Sequence, residues 1–206
     1  MLSAARAIRK YADRLGAEMI VLPVKRDVFA SRTSRKKVGW IEEFSGKQVV
    51  LVAGPSKSPR TLEHPRRLLI PVLEKFHPEV FALAGALTSG SRIPDVDVVA
   101  ARVIKMPQSV PLYSTFRAES LVDSDKELSF LKPLRGLPLL HRLSARVLIV
   151  RDSSRDLIDF AEQRRVDLIV LRGDWAAGRH GFLDRTERRI ATKASSYVAV
   201  MLSSGR

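Results

Sequence analysis

Residues 147–201 read VLIVRDSSRDLIDFAEQRRVDLIVLRGDWAAGRHGFLDRTERRIATKASSYVAVM. An apolar run is followed by a helical pattern and a second apolar run, Asp167 to Leu171. A Gly-containing loop, another helical pattern and a last apolar run complete the stretch. This is strand–helix–strand–loop–helix–strand, the grammar of a parallel sheet with crossover helices. The loop from Gly173 to Thr186 follows a strand and precedes a helix, the place where open α/β sheets put ligands.

The N-terminal part of the chain carries the second half of this pattern. Residues 3–15 space Ala4, Ile8, Tyr11, Ala12 and Leu15 along one helical face, and Gly16 ends the helix. Met19–Val24 reads as a strand, a short helix is expected around Val38–Phe44, and Gln48–Ala53 reads as a second strand. Shifting residues 8–52 forward by 149 positions reproduces the stretch above without a gap. Tyr11-Ala12-Asp13 falls on Phe160-Ala161-Glu162, Met19–Leu22 on Leu168–Leu171, and Val49–Val52 on Val198–Met201. Such a register points to an internal duplication.

Three segments follow from this. Residues 1–55 form a partial repeat, 56–65 (rich in Pro, Ser and charge) a linker, and 66–206 a complete five-stranded domain. A helix–strand half lacking its first three strands would leave an unpaired edge. It can dock on the complete domain through the last strands, exchange with a second chain, or belong to a longer protein. Docking followed by dimerisation is the expected solution.

Composition bounds the function. The chain has 206 residues, no cysteine and a formal charge of +14, so disulfide and thiol chemistry are excluded. Residues 1–60 hold 13 Lys/Arg against 5 Asp/Glu. Such a balance suits polyanions: RNA, DNA or an anionic membrane surface. No run approaches the ~20 apolar residues that span a bilayer, and the N-terminus lacks a signal-peptide core, which fits a cytoplasmic protein. His64, His77, His141 and His180 are scattered, so no metal site is expected.

The runs RRLLIPV (66–72), VDLIVLRG (166–173) and YVAVML (197–202), with a Gly-containing loop and a basic helix between the last two, resemble a universal stress protein domain. The resemblance implies an α/β fold with an open parallel five-stranded sheet of order 3-2-1-4-5, like that of the adenine-nucleotide α-hydrolases. It also implies pairing through the last strand, and ATP as a cofactor in many members. Its nucleotide residues fall on Val72, Gly173, Asp174, Gly178, Gly181, Arg185 and Thr186. The match departs from the family pattern at several points. Val72 is followed by Leu73 rather than an acid, Ala176 takes the second glycine's place, and the Asp184-Arg185 pair stands near the final Gly-Ser position. A carboxylate there would repel phosphate, so the nucleotide loop reads as degenerate and no cofactor is assigned.

The second candidate surface is basic. Lys25, Arg26, Arg32, Arg35, Lys36 and Lys37 lie around the strand–helix connection of the partial repeat, followed by Trp40. Arg185, Arg188 and Arg189 sit at the equivalent place in the complete one. Together these could track a phosphate backbone. Tyr113 and Phe116 beside Arg117 could add base stacking. Asp174, Arg179, His180, Asp184 and Arg185 crowd one loop, but no nucleophile–base–orienter set is legible, so no catalytic residue is assigned. The expected function is a non-enzymatic regulatory or stress-response binding module. Alternatives are a nucleic-acid- or ribosome-associated stress factor and the cytoplasmic regulatory domain of a membrane transporter.

Overall fold

A computed structural model describes residues 2–30, 39–55, 65–89, 96–107, 109, 129, 132, 142–174 and 182–203. Tyr113 and Phe116 lie outside these residues. In chain order the elements are α1 (Leu2–Arg14), β1 (Met19–Pro23), α2 (Asp27–Ala30), a 3-10 helix (Gly39–Phe44), β2 (Gln48–Ala53) and β3 (Arg67–Val72). There follow α3 (Pro78–Ser89), β4 (Asp97–Lys105), β5 (Leu143–Val150), α4 (Ser153–Gln163), β6 (Leu168–Asp174), α5 (Arg185–Lys193) and β7 (Tyr197–Ser203).

The seven strands form one sheet in the order β1-β2-β7-β6-β3-β4-β5. Read from the far end, the five strands after residue 66 run β5-β4-β3-β6-β7, the 3-2-1-4-5 order that the resemblance implies. The pairs β3–β4, β3–β6, β4–β5 and β1–β2 are parallel, and β2 meets β7 antiparallel. By compactness the chain divides into residues 61–170 and residues 1–60 with 171–206, the division falling inside β6.

In the 61–170 unit, β3 and β4 supply fully buried strands: Leu68, Leu69, Val98, Ala100 and Ala101 are at most 1% exposed. Continuous apolar runs of this kind are what a parallel strand covered on both faces requires. The Asp167 carboxylate accepts the backbone N–H groups of Arg66 and Arg67 at 2.9 and 3.0 Å and fixes the start of β3. Asp152 caps α4 through the N–H groups of Ser154 and Arg155. Arg165 ends this helix in the left-handed region, at φ 51°. Its N–H donates to Glu162 O, and that of Val166 to Ala161 O, the pairing of a Schellman turn.

The other unit repeats that turn 149 positions earlier. Gly16 has φ 65°, its N–H donates to Asp13 O, and Ala17 N–H donates to Ala12 O. The earlier turn uses glycine where the later one strains an exposed arginine. Arg165→Gly is therefore expected to stabilise the protein by about 0.5–1 kcal/mol, the strain relieved less the entropy of a glycine. The midpoint of urea unfolding measures it, and an unchanged or lower midpoint would contradict the assignment.

The β2–β7 ladder pairs Val49 with Leu202, Val50 with Met201, Leu51 with Val200, Val52 with Ala199 and Ala53 with Val198. It is symmetric about Leu51–Val200, and these two residues are themselves 149 positions apart. The strands near residues 20 and 50 thus extend the chain's own sheet through its last strand. This covers the edge of β7 to which a second chain would pair, so the expected homodimer needs another surface. Edge strand β1 is bonded inward through Glu18 O and Val24 N–H, which by alternation turns Met19, Val21 and Pro23 outward. Proline has no N–H to give there, the position an edge strand tolerates.

Two details depart from the sequence reading. The basic segment after β1 contains a short helix, α2, because Phe29 is buried to 1% exposure and stacks edge-to-face on Phe182 at 6.1 Å. The apolar face read on α1 is only partly covered. Of that face only Ala12 is buried, whereas Ala4, Ile8, Tyr11 and Leu15 are exposed; Ala5, outside it, is buried. α1 is held by the 3-10 helix through Arg9, which donates to Glu43 O at 2.7 Å, and by Lys47, whose ammonium lies 3.0 Å from Asp13. Hydrogen bonds from Lys47 and then Arg9 hold the Asp13 carboxyl below the usual carboxylate range.

Candidate functional site

The loop after β6 begins and ends on one hydrogen bond: Asp174 N–H donates to Phe182 O at 2.8 Å. Gly173, just before it, is required by packing. A Cβ there would lie 2.8 Å from Leu202 Cδ2, 2.9 Å from Val200 Cγ1 and 3.1 Å from Phe182 O. The sequence offered Gly173 as a place for phosphate to approach the backbone; in the fold its bare Cα makes room for β7. Gly178 and Gly181 lie outside the described residues, and so does Ala176.

After the loop comes α5, whose first turn carries Arg185 and Thr186. The N-terminus of a helix is a ready anion site, because its first N–H groups lack intrahelical partners. Here the chain supplies its own anions. Asp184 Oδ1 accepts Glu187 N–H at 2.7 Å and Glu187 Oε2 accepts Asp184 N–H at 3.0 Å, a complete capping box. The signature of that box, Asp-Arg-Thr-Glu (184–187), stands in the sequence. Val72, the last nucleotide candidate, lies at the end of β3 with its side chain buried, in the 61–170 unit.

The basic candidates separate into different roles. Arg26 is removed from any phosphate-tracking face: it is 9% exposed, and its guanidinium donates to four backbone carbonyls. These are Gly54 O, Ala191 O at 3.2 Å, Ala194 O at 2.6 Å and Ser196 O. The acceptors come from the end of β2 and from the C-terminal turn of α5, where helix carbonyls lack intrahelical donors. Burial lowers the Arg26 pKa from its usual value. α2 packs on α5 beside this contact. Lys25 is exposed. Arg188 donates to Leu183 O at 2.9 Å, and Arg185 and Arg189 are exposed on α5. Arg32, Arg35, Lys36 and Lys37 fall outside the described residues. Among the described residues no cluster of His, Asp or Glu could hold a metal ion.

No protein-family model matches the chain, and no curated protein matches it significantly. Solved structures do. A universal stress protein from Archaeoglobus fulgidus aligns over 95% of this chain and 64% of its own, at TM-score 0.51 and 12% identity. A putative universal stress protein from Pseudomonas aeruginosa aligns over 96% and 68%, also at 0.51 and 12%. The protein MJ0577 aligns over 68% of this chain and 98% of its own, at 0.50 and 15%.

The chain has the universal stress protein fold.

The 3-2-1-4-5 order of β3 to β7 is the one the resemblance implies, and the alignments that reach 95–96% take in the N-terminal strands as well. At these identities the likeness establishes the universal stress protein fold and leaves ligand and partner to the residues themselves. No helix among the described residues is long and apolar enough to cross a membrane.

Proposed function

We propose that this chain is a non-enzymatic regulatory module of the stress-response type, built on a partial and a complete copy of one domain, with a nucleotide loop that no longer holds a nucleotide. The capping box at the start of α5 carries this reading. The Asp184 carboxylate stands where a phosphate would need the helix N-terminus, and its negative charge adds repulsion to occupancy. The Asp174 N–H committed to Phe182 and the packed Gly173 support it. The duplication rests on the offset of 149 shared by the sequence register, the two Schellman turns and the centre of the β2–β7 ladder.

Millimolar MgATP is expected to leave the melting temperature unchanged. A ligand at a hundred times its Kd would add about 2.7 kcal/mol and raise the melting temperature by several degrees. A saturable rise of that size would overturn the proposal.

A further inference from the structure

α1 carries an exposed apolar stripe that the described residues of its unit leave uncovered. Ile8, Tyr11 and Leu15 are 38%, 60% and 64% exposed, and they follow one another at helical spacing. Val21, on edge strand β1, is 50% exposed. At the positions 149 residues on, the counterparts of Ile8 and Val21 are Leu157 at 1% and Val170 at 0%. The partial copy therefore shows apolar side chains at places the complete copy buries.

The surroundings of the stripe select among occupants. Across Ala7, a helical wheel places Lys10 and Arg14 along its solvent side, both exposed. α1 as a whole holds Arg6, Arg9, Lys10 and Arg14 against Asp13. A second copy would bring the same cations against these on a chain of net charge +14. An added strand would meet Pro23, which has no N–H to offer at the open edge, and then Lys25. An anionic lipid surface has neither obstacle. Its headgroups complement Lys10 and Arg14, and the boundary with the acyl chains accepts Ile8, Tyr11 and Leu15.

We propose that α1 is a membrane-surface helix: it lies on anionic lipid with Ile8, Tyr11 and Leu15 inserted and Lys10 and Arg14 at the headgroups. Binding is peripheral and salt-sensitive, since three partly inserted side chains do not anchor a protein by themselves.

The test is co-sedimentation of the full chain with phosphatidylcholine vesicles, with and without about one third phosphatidylglycerol. Tyr11→Ser with Leu15→Ser removes apolar area from exposed positions, and Lys10→Glu with Arg14→Glu reverses the charge. The expected result is that the wild type binds the anionic vesicles and not the neutral ones, and that each pair weakens binding about tenfold or more. Unchanged melting temperatures would show that both pairs fold. No binding by the wild type would overturn the proposal. So would a serine pair that binds as well as the wild type, because the chain's overall charge would then suffice. A wild-type dimer in solution that the serine pair converts to monomer would overturn it too, assigning the stripe to a second copy.

Discussion

Arg26→Met is expected to cost on the order of 3–5 kcal/mol, the range for stripping the charged partner from a buried polar cluster. Methionine fills part of the volume but donates nothing. It leaves the carbonyls of Gly54, Ala191, Ala194 and Ser196 in a site where the guanidinium now serves all four. Unmade hydrogen bonds of this sort carry the full desolvation penalty of the group left behind, about 1–3 kcal/mol each when water cannot enter. The melting temperature should fall by roughly 10 °C for a chain of this size. Arg26→Lys should recover only part of the loss, since an ammonium has three donors and no planar fork. Lys25→Met is the control: Lys25 is exposed, so its loss should change stability by no more than about 0.5 kcal/mol. Equal small losses for the two neighbours would show that Arg26 is not the pin described here.

Removing residues 1–55 is expected to have a larger effect still. The truncation strips β2 from β7 and opens the backbone of Val198 to Leu202 along a strand whose side chains are 0–4% exposed. An unpaired, apolar strand of this length is a template for pairing with another chain. The truncated protein should aggregate, or form a dimer through β7 in place of the lost strand. Size-exclusion chromatography with light scattering distinguishes these outcomes. A soluble, stable monomer of residues 56–206 would refute the role assigned to β2.

Much of the fold was legible because buried parallel strands must be apolar on both faces. Leu68-Leu69-Ile70 and Leu168–Leu171 announce themselves by that requirement, and the order of the strands is what the resemblance to universal stress proteins implies. The offset of 149 was legible because the apolar runs of the two stretches fall in one register. α2 was missed because four residues give no periodicity to read, and its one determinant is Phe29 against Phe182, distant in the chain. Helical spacing places Ile8, Tyr11 and Leu15 on one face of α1, but whether a face is covered depends on packing that residues near one another in the chain do not show.

The candidate site divides along the same line. By itself the sequence determined the apolar strands, the place of the loop after β6 and its departures from the phosphate pattern, all properties of residues near one another in the chain, while the five-strand order is what its resemblance to universal stress proteins implies. Only the tertiary structure decided what the charged residues do. Lys25 and Arg26 are adjacent and chemically alike, yet one is exposed and the other buried. The difference is made by carbonyls 28 to 170 positions away, which have no donors until β2 and α5 are in place. The loop's apparent ligand glycine is likewise set by Val200 and Leu202, which reach it only once β7 has joined the sheet.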